Sequence, residues 1–217
     1  MKQMNHHCSA SVAIALMLAG LLAWPAASLA QLGGLLPPPT TSTTTVVGDA
    51  SAVQATVLGF LGTATTTTLA GTGNLAGTID ARDASQLTGS VLSLLDGEVL
   101  SATTIGYPNE VDSAASLAGL NLNVGGVGVS ADFVMAEASQ MLGAAGSGAS
   151  YIDNLAINGT PVSVSGGPNQ TIAIPGGQLI INEQAISSNG ATVVNALHII
   201  VNGVADVVIA SATAGIS

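Results

Sequence analysis

Few residues in this chain could do chemistry. Of the three histidines, His6 and His7 sit near the start and His198 stands alone in the remainder. The single cysteine is Cys8, and the two basic residues are Lys2 and Arg82. A Ser-His-Asp group would have to use His198, which lies inside an alternating apolar run where a strand, not a loop, is expected. The His and Cys clusters of zinc sites are absent. Two carboxylates can cut a glycosidic bond, and Asp96, Glu98, Glu110 and Glu183 are the candidates for such a pair. Sugar sites usually present aromatic platforms, and Phe60, Tyr107, Phe133 and Tyr151 are the only aromatics after Trp24. The expectation is a non-enzyme with no catalytic, cofactor or metal site, although fold alone never decides function.

Glu183 and His198 are the polar pair to watch. Asn182-Glu183-Gln184 ends one strand-like run, and Asn195 and His198 lie in the next. If the two strands are neighbours, Glu183 meets His198. Such a pair could be a metal or proton site. A hydrogen bond that fixes the register of two strands is the expected role, because buried polar groups are normally paired for structure alone.

Other motifs are weaker. Gly71-Thr72-Gly73-Asn74-Leu75-Ala76-Gly77 has the wrong spacing for a dinucleotide loop and is read as a plain loop. Gly125-Gly126-Val127-Gly128-Val129-Ser130 nearly matches a calcium-binding repeat, but Ser130 replaces the Asp and the motif occurs once. Asp80-Ala81-Arg82-Asp83 has too few oxygen ligands for calcium and is read as a turn with an Arg–carboxylate contact. Thr65 to Thr68 suits a strand surface. Ice binding would need a regular Thr ladder, and no fixed Thr repeat runs through the chain.

The elements that must position these residues are strands. From Tyr151 to Ser217, apolar runs of strand length are separated by Asn-Gly, Gly-Gly-Pro and Pro-Gly-Gly. Earlier, Val53, Ala55 and Val57 alternate with Gln54 and Thr56. Asp96-Gly97 predicts a hairpin between Val91 and Ile105. Gly125-Gly126 predicts another, between Ala114–Val124 and Val127–Ala138. Tyr107 to Glu110 reads as a loop, Val134 to Leu142 as a helical turn, and Gly143 to Ser150 as a flexible loop. The fold expected is an all-β, antiparallel β-sandwich of about ten strands, with a β-solenoid as the alternative.

The last hairpin permits a sharper expectation. A two-residue type I′ turn at Asn202-Gly203 would set Ile199 opposite Asp206 and Leu197 opposite Val208. A carboxylate would then share a face with Ile199 and Leu197, which is costly unless that end is wet. A four-residue loop, Asn202 to Ala205, instead sets Asp206 opposite Val201, Ile199 opposite Val208 and Leu197 opposite Ala210. The longer loop is the expectation. Both strand faces are then largely apolar, so the hairpin belongs inside a layered fold, with His198 at least partly buried.

Composition and the first residues speak to location. The 217 residues carry twelve Asp and Glu against two Lys and Arg, so nucleic acid and anionic membranes are poor partners. Apolar residues make up 48%, which excludes a disordered chain. Residues 1–30 read as a secretory signal peptide: a weakly basic head, an apolar run from Ser11 to Trp24, Pro25, then Ser28-Leu29-Ala30 before cleavage. An uncleaved membrane anchor is the alternative, and its run is short for a spanning helix. Residues 31–45 read as a Pro/Thr-rich linker or arm. Val46-Val47 could open a strand that pairs with another subunit. Residues 46–217 are read as a single all-β domain without cysteine.

The order of features is similar to the choice-of-anchor P family of secreted bacterial surface proteins. The matching pieces are Leu155 to Val162, Asn169 to Ile172, Ile174-Pro175-Gly176, Ile181 to Gln184, and Val194 to His198, with Ala-Ser-Ala-Thr-Ala-Gly near Ser211. The likeness covers Val46 to Ser217 and is firmest from Leu155 onward. It implies an all-β extracellular domain and carries no activity with it. No hydrophobic tail, basic stop or sortase-type motif follows Ile216-Ser217, so anchoring at that end is not expected. The function expected is a secreted structural or adhesive protein of the cell surface or extracellular matrix, a fibre subunit being one form of it. Self-association or a cell-surface component would be its partner. An extracellular ligand-binding module is the alternative, and a carboxylate-dependent hydrolase a more distant one.

Overall fold

The computed structural model describes residues 43–59 and 62–217. The residues read as a signal peptide, 1–30, and all but the last of those read as a Pro/Thr-rich linker or arm, 31–45, lie outside them. Thirteen strands follow in order: β1 (Val46–Leu58), β2 (Ala64–Gly71), β3 (Asp80–Val91), β4 (Leu95–Gly106), β5 (Glu110–Val124), β6 (Val127–Met141), β7 (Ser147–Asp153), β8 (Ala156–Ile157), β9 (Thr160–Pro161), β10 (Gln170–Ile174), β11 (Gly177–Ile186), β12 (Thr192–Val201) and β13 (Ala205–Ile216). They form an antiparallel β-sandwich. The six-stranded sheet runs β10-β11-β12-β13-β1-β2. The seven-stranded sheet runs β3-β4-β5-β6-β8-β9, with β7 also paired to β6. No helix among the described residues is long and apolar enough to cross a membrane.

Several turns follow the chemistry of their residues. Gly125-Gly126 and Asn158-Gly159 both have two positive φ values, as a type I′ turn requires. Pro175-Gly176 joins β10 to β11 with Gly176 at φ 74°. Val46-Val47 opens a strand that pairs inside the chain, opposite Ile216 and Gly215. Thr45 and Ser217 exchange two main-chain hydrogen bonds beyond it.

Other expectations are corrected. The hairpin between β3 and β4 turns at residues 92–94, with Leu92 and Ser93 left-handed at φ 45° and 59°. Asp96-Gly97 lies inside β4, where Gly97 packs beneath Leu117 with no room for a Cβ. Val134 to Met141 is strand: Val134, Ala136 and Ala138 face inward at period two while β6 pairs with β5 and β7. The spacing of Met135, Ala138 and Met141 is incidental to that pattern. Ser147 to Ser150 belongs to β7, and Asp80 to Asp83 opens β3. The Arg82–Asp80 contact is present at 3.1 Å, between side chains two residues apart on one strand face.

The β12–β13 loop has neither length considered. Three residues, 202–204, turn the chain, and only Gly203 of Asn202-Gly203 is left-handed, at φ 70°. Val201 faces Ala205, Ile200 faces Asp206, Ile199 faces Val207 and Leu197 faces Ile209. This register puts Leu197, Ile199, Val201, Ala205, Val207 and Ile209 on the inner face. Asp206 joins His198 on the outer face, so the carboxylate stays wet without an apolar neighbour losing its burial.

One irregularity runs across five strands of the six-stranded sheet, from β11 to β2. In β13, Ala205, Val207 and Ile209 are buried, and then Ala210, Ala212 and Ala214. The inner face passes from odd to even positions in mid-strand. The same change falls at Ala196-Leu197 in β12, at Ile181-Asn182 in β11 and at Ala52-Val53 in β1. The residues at the change form one row, and Ala70, Asn182 and Ala210 in it have φ of 45°, 51° and 53°. The seven-stranded sheet has the converse. Two consecutive residues point outward at Glu98-Val99 and at Ala118-Gly119, where Val99 and Gly119 have φ of 47° and 60°. One layer steps inward and the other outward, so the two layers stay in contact through the step.

The core is built from Ala, Val, Leu and Ile, with no aromatic side chain among its buried members. Small residues let the layers approach closely. A Cβ on Gly148 of β7 would collide with Val194 of β12 in the other sheet. A polar tie crosses the same interior: Ser113 Oγ donates to Thr213 O at 2.7 Å, and Thr104 Oγ1 lies 2.7 Å from Ser113 Oγ.

Candidate functional site

Glu183 and His198 meet, as the strand order suggested. β11, β12 and β13 are consecutive in the sheet, with Glu183 opposite Asn195, Asn195 opposite Ser211, and His198 opposite Val208. The mid-strand step brings their outer residues together. In each strand two inward residues are consecutive at the step, so Asn195 and His198, three apart, both reach one neighbour. Asn195 Nδ2 donates to Glu183 Oε2 at 2.7 Å, and His198 Nδ1 lies 2.9 Å from the same oxygen. His198 Nε2 lies 2.9 Å from Asp206 Oδ1. Ser211 Oγ donates to Asn195 Oδ1 at 2.7 Å. On β1 the same step lets Gln54 Nε2 donate to Ser51 Oγ at 2.7 Å.

The result is a hydrogen-bonded chain across three strands: Asp206, His198, Glu183, Asn195, Ser211. The His198 side chain is 15% exposed, that of Glu183 24% and that of Asp206 55%. A carboxylate only accepts hydrogen bonds. Each of the two contacts of His198 is therefore made when the facing ring nitrogen carries a proton, and the imidazolium ring makes both. A carboxylate oxygen stands at each ring nitrogen, and the Ser211 hydroxyl is buried and directed at Asn195. The arrangement ties strands together, and the Ser211 hydroxyl donates to the Asn195 amide oxygen rather than to His198. Sequence reasoning found Glu183, His198 and Asn195 here. It missed Ser211, and it brought Asp206 near the turn without placing it on His198, because both members depend on the three-residue loop and the step.

The other carboxylates do not converge on this group. Asp96 and Glu98 share the outer face of β4 and line a depression of ≈ 460 Å³ with Thr88, Ser90 and Asn121. Glu110, on β5, accepts from Ser139 Oγ at 3.3 Å. A second depression, of ≈ 490 Å³, lies on β4 to β7 and includes Asp112, Glu137, Ser139 and Ala149. Asp112 and Glu137 were not singled out from the sequence. The signal was present, since a Gly125-Gly126 turn sets Ala114 opposite Glu137 and Asp112 one outward position away. Among the described residues, no group of three or more His, Cys, Asp or Glu is placed to hold a metal ion.

Two acids are electrostatically shifted. Burial raises the carboxyl of Asp49, against the opposing hydrogen bond from Thr72. The Asp80 carboxyl is lowered, first by the Ala76 N–H that donates to it at 2.7 Å and then by Arg82.

In comparisons with protein-family models, curated proteins and solved structures, nothing matches this chain.

Proposed function

We propose that the chain is a secreted structural or adhesive component of a cell surface or extracellular matrix, related to the choice-of-anchor P proteins it resembles, and that it is not an enzyme. The observation that carries this reading is the use made of His198. The one histidine beyond the leader lies between Glu183 of β11 and Asp206 of β13, at 2.9 Å from a carboxylate oxygen of each. The small, uncharged side chains of the surface suit a durable scaffold outside the cell, where export by residues 1–30 would place it. Electron microscopy and fractionation of native material test the reading. The expected result is protein with Gln31 at its N-terminus in the surface or matrix fraction. Retention of Met1 inside the cell, or a glycan-cleaving activity lost in Asp96→Asn or Glu98→Gln, would replace it.

A ligand-binding module is the second reading. The depression around Asp112 and Glu137 favours it, because short Ser and Ala side chains leave room there between two carboxylates. Binding to a glycan or peptide array that disappears in Glu137→Gln would support this reading over the first.

A further inference from the structure

The two flanks of the sandwich are built differently. On one, the layers are tied together. Gln184 Nε2 of β11 donates to Gly148 O of β7 at 3.0 Å, across the gap between sheets. The connection from β9 to β10 covers the same side: Gln170 Nε2 donates to Ser163 O at 2.8 Å and Gln170 Oε1 accepts from Ser165 N at 2.7 Å. On the other flank lie β2 and β3, the remaining edge strands of the two sheets.

β3 is an edge guarded by charge at one end only. It runs twelve residues and pairs only with β4. Natural sheets protect such edges with Pro, Lys, bulges or inward charges. Asp80, Arg82 and Asp83 crowd the first turn of β3, and Ala84 to Val91 carries no charge and no Pro. The β3–β4 ladder keeps one register from Asp80 to Val91, and the outward step of this sheet crosses β3 at Leu87 and Thr88, both exposed between the inward Ala84 and Gly89. Leu87 in its middle is 83% exposed, and Val99, across from it on β4, is 59% exposed. A long edge, uncharged over its last eight residues and bearing an exposed apolar side chain, is a template for another strand.

We propose that β3 is the surface through which two copies of this chain associate, edge to edge and antiparallel, with the two Leu87 side chains facing each other. The charge pattern selects this arrangement. A parallel, in-register pairing would set Asp80 and Asp83 against their own copies. An antiparallel pairing centred on Leu87 sets Gln86 opposite Thr88, Ser85 opposite Gly89, Ala84 opposite Ser90 and Asp83 opposite Val91, so no acid meets an acid. Leu87 and Val99 from each copy then form one apolar patch. The pairing is isologous, as a two-fold dimer requires. This inference rests on the reading of the chain as an extracellular assembling component, and it names the partner as a second copy.

Sedimentation velocity of the full secreted chain over a concentration series tests it. The wild type dimerises, more readily as salt screens its excess of acidic side chains. Leu87→Lys, at an exposed position that leaves folding intact, weakens the dimer by about tenfold or more. In the secreted chain, where residues 31–217 have no cysteine, Leu87→Cys forms an intermolecular disulfide on mild oxidation, because residues directly opposite in an antiparallel pair lie within disulfide reach. Ile186→Cys, exposed on β11, is the control and stays monomeric. A monomeric wild type, an unchanged dimer in Leu87→Lys, or Leu87→Cys crosslinking no faster than Ile186→Cys overturns the interface. Those results leave the extracellular reading to stand or fall on fractionation. A β3 dimer found with protein retained inside the cell overturns the extracellular role instead.

Discussion

Ser113 of β5 donates its hydroxyl proton to the main-chain carbonyl of Thr213 on β13, 2.7 Å away and in the opposite sheet. That leaves Thr104 as the donor to Ser113, also at 2.7 Å. Thr104 is fully buried and Ser113 nearly so. Ser113→Ala should leave both partners short of a hydrogen bond in an apolar interior and cost about 1–3 kcal/mol of stability. Urea titration checks this. The double variant Ser113→Ala with Thr104→Val should cost less than the sum of the single changes, because it removes the orphaned hydroxyl as well.

Gly148 should resist enlargement. Its missing side chain is what lets β7 approach Val194 on β12. Gly148→Val forces the layers apart and should cost about 1–3 kcal/mol, as overpacked cores do. The paired change Gly148→Ala with Val194→Ala should recover part of that loss, which thermal melts of the two variants beside the wild type would show.

The His198 group predicts an order of effects. Glu183 serves both Asn195 and His198 and is mostly covered. Glu183→Ala should cost about 1–3 kcal/mol. Asp206 is more than half exposed, so Asp206→Ala should cost less than about 1 kcal/mol. Equal losses in denaturant titrations would contradict the picture of Glu183 as the central tie.

Asp49 and Asp80 should have opposite pH signatures. Burial holds Asp49 above the ordinary aspartate value of 3.8, so the folded chain favours its neutral form. The stability this favours is present below 3.8 and is lost as pH rises through the raised folded value. Asp49→Asn should therefore stabilise the protein at neutral pH, by less than about 1 kcal/mol after solvent screening, and the gain should vanish in acid. Asp80, held low by the Ala76 N–H, contributes above 3.8 and loses its contribution as pH falls through its lowered value. Melts of both Asn variants at pH 3 and pH 7 separate the two.

The all-β architecture was legible because period-two alternation and turn residues agree over most of the chain. Val53 and Ala55 lie inward as their spacing says, and Gly125-Gly126, Asn158-Gly159 and Pro175-Gly176 turn where Gly and Asn make positive φ cheap. Leu92 and Ser93 gave no such sign. They are held left-handed by the pairing of β3 with β4, a tertiary effect that composition does not reveal. The helix-like Ala and Met of β6 were likewise overruled by strands on both sides. The candidate group was half legible. Glu183 and His198 could be matched from neighbouring runs, but Asp206 and Ser211 could not. Their places depend on a loop length that no pairwise face argument selected and on the step at Ala210, which reads in sequence only as a broken alternation.

The step bears on how the strands resist sliding. In an ordinary sheet, a slip of two residues returns every side chain to its former face, so such slips are cheap to the core. Here a slip of two would carry the change at Ala196-Leu197 away from the change at Ile209-Ala210. Between them, residues meant for the core would stand across from residues meant for water. The row works as a notch cut at the same height in each plank, and the sheet can close in one register alone. A layer notched in this way is suited to bearing shear along its strands without creeping, and it offers little to the shifted pairings from which aggregates start.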